Sequence, residues 1–326
     1  MHVALLGATG AVGRTMLQVL AERRLPIDRL TLFTSPRSAG RSIDWGGRSW
    51  TCELARPGAF RGVDYALFSA GGDRSTEWAP VAAAEGAVVV DNSSAWRMDP
   101  RVPLVVPEVN AAAAADRPKG IIANPNCSTI QMVVALEAIR REAGLVRVVA
   151  SSYQSASGAG ETGREALRAE LGGGASASTP FPRRIAGNVV PQIGELDADG
   201  WTGEERKMIN ETRKIMSLPD LPVAATCVRV PVEVGHSVQV MAETERELSV
   251  EQARRALASF PGVVVADAAS GYPTPLETAG RDEVFVGRIR RDPFLPRTLH
   301  LWVVADNLRK GAATNAVQIV EALAGA

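Results

Sequence analysis

The hydrophobic positions in the first part of the chain fall into short runs separated by segments of helical periodicity. The chain opens with an apolar run at 1–6 and a helix-like segment at 15–20. Further buried strands are predicted at 30–33, 66–69, 87–91 and 104–106. Apolar strands that alternate with helices form parallel sheets covered on both faces. The pattern therefore predicts an α/β fold, a doubly wound parallel sheet of the Rossmann type.

The pattern changes after residue 145, where the strands become richer in β-branched residues. Strands are predicted at 146–153, 226–234, 238–243 and 298–305, helices at 204–216 and 250–260, and an exposed glycine-rich loop at 158–179. An amphipathic helix at 307–323 is expected to pack back against the first sheet. Because 326 residues exceed one hydrophobic core, we expect a domain of residues 1–123 and 307–326, with an inserted α+β domain at 124–306.

The balance of charge and the length of the apolar stretches argue against a nucleic-acid-binding, membrane-spanning or secreted protein. Lys+Arg and Asp+Glu both total 36, so the formal net charge is +0, and no run of like charge suggests a nucleic-acid partner. Apolar stretches such as 79–90 are too short to span a bilayer, and the first strand leaves no room for a signal peptide. We expect a cytoplasmic protein with no nucleic-acid or membrane partner.

The cysteines and histidines indicate neither disulfides nor a metal. Cys52, Cys127 and Cys227 cannot all pair within the chain, and their spacing fits no zinc site. The three histidines lie far apart without partners at ligand spacing. Reduced thiols and no metal ion are expected.

A glycine-rich turn joins the first strand to the first helix. It reads Gly7-Ala8-Thr9-Gly10-Ala11-Val12-Gly13, a G-x-x-G-x-x-G spacing. Bare amides at a helix N-terminus hold pyrophosphate, so the motif predicts a dinucleotide site. A glycine turn without a ligand is the alternative.

The residues that select between NAD and NADP follow the second strand. Here the sequence is Thr34-Ser35-Pro36-Arg37-Ser38. NAD enzymes tend to place an acidic residue there. Arg37, with the hydroxyls of Ser35 and Ser38, suits a 2′-phosphate instead, because guanidinium pairs with phosphate oxygens. NADP is therefore favoured as the cofactor, with a solvated surface arginine as the alternative.

Cys127 is the candidate nucleophile. It follows Asn124-Pro125-Asn126 and precedes a helical pattern, which places it in the first turn of a helix capped by Asn126 or a neighbour. The positive end of the helix dipole favours the thiolate, the reactive form. A buried inert cysteine is the alternative, and it is the interpretation we give to Cys52 and Cys227.

His236 is the candidate acid–base group. Gly235-His236-Ser237 interrupts a stretch rich in strands, where an imidazole can face a cleft and titrate near neutral pH. A structural histidine is the alternative. His2 and His300 lie within apparent strands and are weaker candidates.

The chain as a whole resembles the aspartate-semialdehyde dehydrogenase family. The segments that carry the resemblance, in order, are GATGAVG at 7–13, FSAGG at 68–72, VDNSSAWR at 90–97, NPNCST at 124–129, SYQSASGAG at 152–160, NVVPQIG at 188–194, EERKM at 204–208, CVRVPVEVGHS at 227–237 and DNLRKGAA at 306–313. They cover nearly the whole length.

The resemblance implies the reductive dephosphorylation of β-aspartyl phosphate by NADPH to aspartate-β-semialdehyde, with release of phosphate (EC 1.2.1.11). Cys127 would form a thioester at the junction of the two domains, with His236 as acid–base catalyst and Gln154 holding the substrate. Arg229 would clamp the α-carboxylate, Arg97 and Lys207 would bind phosphate, and Ser157, Gly158 and Asn307 would contact the cofactor. Glu204 and Lys207 share a helix face, so Glu204 could meet the ammonium group; an exposed ion pair is the alternative.

The family also implies a homodimer or homotetramer in lysine (diaminopimelate), threonine, methionine and isoleucine biosynthesis. The nearest rival function is that of N-acetyl-γ-glutamyl-phosphate reductase, whose acylated substrate nitrogen carries no charge for Glu204 to meet. Three rival functions are more distant: a thiol acyltransferase without hydride transfer, a glyceraldehyde-phosphate dehydrogenase, and an inactive relative acting as a scaffold. An inactive relative would be expected to lose Cys127, His236 or Arg229, and all three are present.

Overall fold

A computed structural model describes residues 1–174, 178–266 and 271–325. The chain divides into two compact units. Unit 1 consists of Met1–Asn126 and Ala312–Ala326, and unit 2 of Cys127–Gly311. The second unit is therefore inserted in the sequence of the first.

Unit 1 is built on a mainly parallel sheet. In chain order its first elements are β1 (His2–Leu6), α1 (Ala11–Glu22), β2 (Arg29–Phe33), β3 (Ser42–Trp45), β4 (Arg48–Glu53), β5 (Tyr65–Phe68), α2 (Gly72–Ala84), β6 (Val88–Asp91), α3 (Pro107–Asn110) and β7 (Ile121–Ala123). The strand order is β3-β4-β2-β1-β5-β6-β7, and each pair is parallel except β3 with β4. The predicted doubly wound sheet is confirmed.

Two details of this sheet differ from the prediction. The β3–β4 hairpin at one edge was not predicted, because its strands are largely solvent-exposed and carry no apolar run. The predicted strand at 104–106 is wrong, since Leu104 makes only an isolated bridge to Ala123. Pro103 and Pro107 flank that run, and proline cannot donate a ladder hydrogen bond.

Unit 2 contains a mixed sheet with helices packed on it. Its elements are α4 (Cys127–Ala143), β8 (Arg147–Gln154), α5 (Gly160–Leu171), α6 (Gly203–Ile215), β9 (Val223–Arg229), β10 (His236–Glu243), α7 (Val250–Ser259), β11 (Val263–Val265), α8 (Pro275–Thr278), β12 (Val284–Arg291) and β13 (Thr298–Ala305). The strand order is β11-β12-β13-β10-β8-β9. β8 pairs with β9 and β11 with β12 in parallel, and the remaining pairs are antiparallel.

The predicted loop at 158–179 is wrong over its first part, which forms α5. The buried residues of α5 recur at helical spacing, at Gly163, Ala166, Leu167 and Glu170. Of these, Ala166 and Leu167 join a small apolar core with Ala156, Phe181, Ile185 and Val190. The glycines at 172–174 end the helix, and residues 175–177 of the predicted loop lie outside the described residues.

The chain returns to unit 1 through α9 (Thr314–Ala324), after a π-helical turn at Arg309–Ala313. Val317 and Val320 of α9 are fully buried in the same apolar core as Leu17 and Leu20 of α1. Across residues 1–174, 178–266 and 271–325, no helix combines the length and apolar character needed to span a membrane.

Candidate active site

The glycine-rich turn lies between β1 and α1 in a conformation that only glycine fits. Gly7 has φ of 94°, and a Cβ there would lie 2.3 Å from the carbonyl oxygen of Ser69. A Cβ on Gly13 would lie 2.2 Å from the carbonyl oxygen of Gly7. The N-cap of α1 is Gly10, which has no side chain to cap the helix, and Ala11 and Val12 begin its first turn. The first amides of α1 can therefore serve an anion.

A cavity of about 540 Å³ opens beside this turn. It is lined by Leu6, Gly7, Thr9, Gly10, Thr34, Ser35, Pro36, Leu54, Ala55, Ser69, Ala70, Arg74 and Trp78. The hydroxyls of Thr9 and Thr34 lie 2.9 Å apart and tie the glycine turn to the end of β2. The uncharged lining of this cavity and the positive charge of the Arg74 side chain both suit the binding of a dinucleotide. Arg74 and Trp78 were missed because they lie on α2, far along the sequence.

The residues predicted to read the 2′-phosphate lie on the turn after β2. Ser35 lines the cavity, and its carbonyl accepts the backbone N–H of Ser38 at 2.9 Å. Arg37 is exposed at the edge of this turn and is outside the lining residues. Its side chain can therefore move to meet an anion.

Cys127 is the first residue of α4, as predicted. It is partly exposed, whereas Cys52 on β4 and Cys227 on β9 are buried. Burial raises the pKa of both buried thiols. Gly311 packs against Cys127, since a Cβ there would lie 2.9 Å from Cys127 Cβ. Of the three thiols, Cys127 is thus the one placed for reaction with a dissolved molecule.

His236 is the first residue of β10 and is fully buried. The backbone N–H of Ser155 donates to its Nδ1 at 3.1 Å, and Ser155 Oγ lies 3.1 Å from the same nitrogen. Burial, aided by the Arg229 guanidinium, lowers the pKa of His236 to about 3. This lowered pKa runs against the expectation that the imidazole titrates near neutral pH, because the effect of burial exceeds the opposing charge of Glu204.

Arg229 ends β9 and is 6% exposed. Its Nη1 donates to the carbonyl oxygen of Ser155 at 2.7 Å, and its Cζ lies 5.8 Å from the centre of the Phe181 ring. Burial lowers the pKa of Arg229, and the charges of Glu204 and Cys127 oppose that shift. A fixed guanidinium thus stands within electrostatic range of a carboxylate and of the nucleophile.

Three further side chains predicted to bind substrate, Gln154, Glu204 and Lys207, lie on β8 and α6 of unit 2. Gln154 is buried at the end of β8, and its Nε2 donates to Ser152 Oγ at 3.1 Å. Glu204 is buried in the first turn of α6, where Lys207 Nζ lies 3.2 Å from its carboxylate. The predicted shared face of Glu204 and Lys207 is therefore seen, and Lys207 stays partly exposed.

Arg97 belongs to unit 1 and is 8% exposed. Its Nε donates to the carbonyl oxygen of Asn124 at 2.9 Å and its Nη2 to that of Asn92 at 2.8 Å. The guanidinium is thus fixed by backbone oxygens of its own unit.

Asn307, Ser157 and Gly158 lie beside His236. Asn307 Nδ2 donates to Ser157 Oγ at 2.9 Å, and its Oδ1 accepts the backbone N–H of Gly235 at the same distance. A Cβ on Gly158 would lie 2.7 Å from Arg229 Nη1 and 3.2 Å from His236 Nε2. These residues, predicted to bind cofactor, are in this structure neighbours of the imidazole.

Three residues near the site were not predicted: Ser155, Phe181 and Gly311. Ser155 lies inside the SYQSASGAG segment, where its hydroxyl could have been recognised as a partner for a histidine. Gly311 lies inside the DNLRKGAA segment, whereas Phe181 lies in none of the family-like segments and carries no sequence signal. Within the described part of the chain, no cluster of three metal-ligating side chains is found.

Replacing Gly158 with alanine is expected to displace the Arg229 guanidinium, because the new Cβ would lie 2.7 Å from Nη1. We expect kcat/KM to fall roughly tenfold, chiefly through KM for the substrate that this guanidinium would hold, with little change in melting temperature. Gly203→Ala is the matched control, since a Cβ there meets open space. Equal kinetics for the two variants would contradict this close packing.

Comparison with known families gives the same result for both units. The model of the semialdehyde dehydrogenase NAD binding domain matches residues 2–117. The model of the semialdehyde dehydrogenase dimerisation domain matches residues 136–310. Together they cover most of the chain.

Individual relatives are similar over almost their full length. Aspartate-semialdehyde dehydrogenase of Aquifex aeolicus is 54% identical over 99% of this chain and 97% of its own. The Bacillus subtilis enzyme is 49% identical with the same coverage. The crystal structure of aspartate semialdehyde dehydrogenase II from Vibrio cholerae, complexed with ASA, has a TM-score of 0.96 and 46% identity, covering 99% of this chain and 98% of that one.

Proposed function

Because the chain belongs to the aspartate-semialdehyde dehydrogenase family, we propose that it reduces β-aspartyl phosphate to aspartate-β-semialdehyde with NADPH and releases phosphate. The observation that carries this proposal is the grouping of one partly exposed thiol, a fixed guanidinium and a buried carboxylate, in Cys127, Arg229 and Glu204. The acyl group of this substrate needs a thiol that can attack it, its α-carboxylate needs a cation, and its α-ammonium group needs a carboxylate.

The thiolate of Cys127 attacks the acyl carbon, forming a C–S bond while the C–O bond to phosphate breaks and phosphate leaves with its electron pair. When bound, NADPH supplies the hydride that reduces the thioester carbon. The resulting oxyanion re-forms the carbonyl, the C–S bond breaks, and the electron pair returns to Cys127. The product is the free aldehyde.

Arg229 and Glu204 recognise the amino-acid end of the substrate. Arg229 keeps further N–H groups besides the one that it gives to Ser155, and these can fork onto a carboxylate. Glu204 can accept the ammonium group. An N-acetylated substrate offers no positive charge for this buried carboxylate, which is why we favour the free amino acid over the acetylated one.

Gln154, Lys207 and Arg97 complete the substrate site. Gln154, adjoining Ser155, is proposed to orient the acyl group near Cys127, because an amide can do so without taking the proton. Lys207 is the partly exposed cation and can meet phosphate by a small movement. Arg97 is proposed as a second phosphate-binding cation, following the resemblance of VDNSSAWR to the family.

NADP is proposed to bind at the glycine turn of unit 1. The amides that begin α1 at Gly10, Ala11 and Val12 would hold the pyrophosphate, and Gly7, Thr9 and Gly13 shape the turn. Ser35, Arg37 and Ser38 would hold the 2′-phosphate. Ser157, Gly158 and Asn307 remain proposed contacts of the nicotinamide end.

Arg37→Ala is expected to raise KM for NADP⁺ roughly tenfold and to leave KM for NAD⁺ nearly unchanged, because the lost guanidinium meets only the 2′-phosphate. Steady-state kinetics with both dinucleotides measure this. Arg29→Ala is the control, because it removes an exposed guanidinium on β2 that is not proposed to bind the cofactor. An equal change with both dinucleotides would contradict the assignment of Arg37.

We further propose a homodimer or homotetramer in the cytoplasm. The dimerisation-domain match to unit 2 supports self-association, and three cysteines without disulfides suit a reducing compartment. The reaction would supply lysine, threonine, methionine and isoleucine synthesis.

The experiment that tests the function follows NADPH absorbance with aspartate-β-semialdehyde, NADP⁺ and phosphate. Parallel assays use N-acetylglutamate-γ-semialdehyde, NAD⁺, or no phosphate. We expect phosphate-dependent activity with the first substrate and NADP⁺. Activity confined to the acetylated substrate would transfer the chain to the N-acetyl-γ-glutamyl-phosphate reductases, and hydrolysis without NADP⁺ reduction would support an acyltransferase.

A further inference from the structure

We propose that Phe181 is a positioning residue for substrate binding in unit 2. The face of its ring holds the Arg229 guanidinium charged and oriented, so that the guanidinium can fork onto the carboxylate of the substrate. The inference rests on the proposed function and deepens it, because it names the group that keeps the carboxylate-binding cation in place. Phe181 lies outside every segment that carries the family resemblance.

The guanidinium of Arg229 has two requirements that conflict. It is 6% exposed, and burial lowers its pKa, so its charge needs a favourable neighbour. A buried cation is usually paired with a carboxylate, but a carboxylate bonded to the guanidinium would occupy the N–H groups that a substrate needs. Among the residues that the structure describes, this guanidinium has one hydrogen bond, from Nη1 to the carbonyl oxygen of Ser155 at 2.7 Å, and no ion pair.

The Phe181 ring meets both requirements. Arg229 Cζ lies over this ring, 5.8 Å from its centre, and the negative face of an aromatic ring attracts a cation, more strongly where water is excluded. Phe181 is itself buried. The ring therefore favours the charged guanidinium without taking up its N–H groups. Both residues line a cavity of about 270 Å³, so a dissolved molecule can reach the guanidinium.

The segment that carries Phe181 is stiff and is tied to α5. Prolines stand on both sides of Phe181, and proline fixes its own φ and restricts the residue before it. The Glu170 carboxylate accepts the backbone N–H groups of Ile185 and Ala186 at 2.8 and 2.9 Å. The ring packs with Leu167 of α5 in the small apolar core of unit 2. The ring is therefore a fixed support for the guanidinium.

The backbone of Arg229 is held by the same core. Arg229 and Val190 exchange two backbone hydrogen bonds, of 2.8 and 2.9 Å, and Val190 belongs to the apolar core that contains Phe181. The ring and the end of β9 are thus parts of one packed unit. Removal of the ring face would free the guanidinium end of Arg229 and leave its backbone in place.

The first test changes the electrostatics of the ring face and keeps the ring. Full-length protein is made with 3-fluoro- or 3,5-difluorophenylalanine at position 181, because fluorine weakens the attraction of a ring face for a cation. The para position stays unchanged, since Cζ of Phe181 points at α5, where a Cβ on Gly163 would lie 3.2 Å from it.

We expect KM for aspartate-β-semialdehyde to rise with each fluorine, to about threefold for two, while kcat and KM for NADP⁺ stay unchanged. The matched control is the same substitution at Phe285, a buried ring with Arg281 Cζ 4.5 Å from its centre, which should leave all three values unchanged. A KM that does not depend on fluorine at Phe181, or that changes equally in the control, overturns the proposal.

The second test establishes whether Phe181 acts through Arg229. We expect Phe181→Leu to lower kcat/KM for the semialdehyde about tenfold in the parent and less than twofold in the Arg229→Leu background, where the cation over the ring is absent. Equal losses in both backgrounds would indicate an effect of packing alone and overturn the proposal.

The ¹⁹F NMR spectra of the fluorinated proteins separate this inference from the proposed function. A neighbouring charge shifts the resonance of a fluorinated ring, so the signal from position 181 should move in Arg229→Leu. It should not move in Arg206→Leu, whose guanidinium lies over the Trp201 ring instead. An unmoved signal in Arg229→Leu overturns the proposal whether or not the parent is active. A moved signal in a parent without semialdehyde activity would refute the proposed function and leave the contact of ring and guanidinium established.

Discussion

Cys127→Ala is expected to lower kcat roughly 10⁴-fold or more and to leave the Kd for NADP⁺ nearly unchanged. The thioester cannot form without the thiol, and the residual rate would come from binding alone. The proposed dinucleotide contacts near the pyrophosphate belong to unit 1 and do not include this side chain. Steady-state kinetics and a fluorescence titration with NADP⁺ measure the two quantities.

Cys52→Ala is the matched control, because Cys52 is a buried thiol on β4 of unit 1. It should keep near-normal turnover and lose some stability from the vacated volume. Incubation of the parent with aspartate-β-semialdehyde, NADP⁺ and no phosphate should trap an acyl adduct on Cys127, detectable by mass spectrometry. Turnover by Cys127→Ala, or an adduct on another residue, would refute the assigned nucleophile.

Arg229→Leu is expected to lower kcat/KM for the semialdehyde roughly 10³-fold, because it removes the buried cation proposed to bind the substrate carboxylate and leaves the charge of Glu204 without it. Arg229→Lys should lie between the parent and leucine, since an ammonium restores charge but cannot bond Ser155 and fork onto a carboxylate together. The measurement is steady-state kinetics, with thermal unfolding to establish that each variant is folded.

The control for this position is Arg206→Leu, which removes an exposed guanidinium paired with Asp197. Exposed pairs of this kind contribute little, so its kinetics should match the parent. Lysine and leucine variants with equal kcat/KM would show that charge at residue 229 is irrelevant, and would remove Arg229 from the proposed substrate site.

Local patterns predicted the elements that carry the chemistry. The apolar run before Gly7 and the helical pattern after Cys127 are continuous in sequence, so the strand–turn–helix unit and the start of α4 could be located from the residues alone. The family prediction is confirmed by relatives about half identical over the whole chain.

The environment of His236 could not be predicted in the same way. Its burial depends on β8 and β10 pairing side by side, with Tyr153 opposite Ser237, although these strands are far apart in sequence. The Ser155 amide reaches Nδ1 only because of that register. A sequence pattern identifies the imidazole, but the fold sets its burial and therefore its pKa.

The prediction of a loop at 158–179 is wrong over Gly160–Leu171 for a different reason. Its glycines and small residues are typical of a loop, and the helix-forming face of α5 contains only Gly163, Ala166, Leu167 and Glu170. That face becomes apolar enough to bury only when Phe181 and Ile185 fold over it. Long-range packing therefore decides a local structure here.

The position of α9 after unit 2 in the chain affects how the protein folds during synthesis. Val317 and Val320 belong to the core of unit 1, yet they follow all of unit 2 in the chain. During synthesis the ribosome must therefore deliver the inserted unit before the first core can be completed. Until α9 is synthesised, the N-terminal strands would form an unfinished sheet with apolar surface exposed.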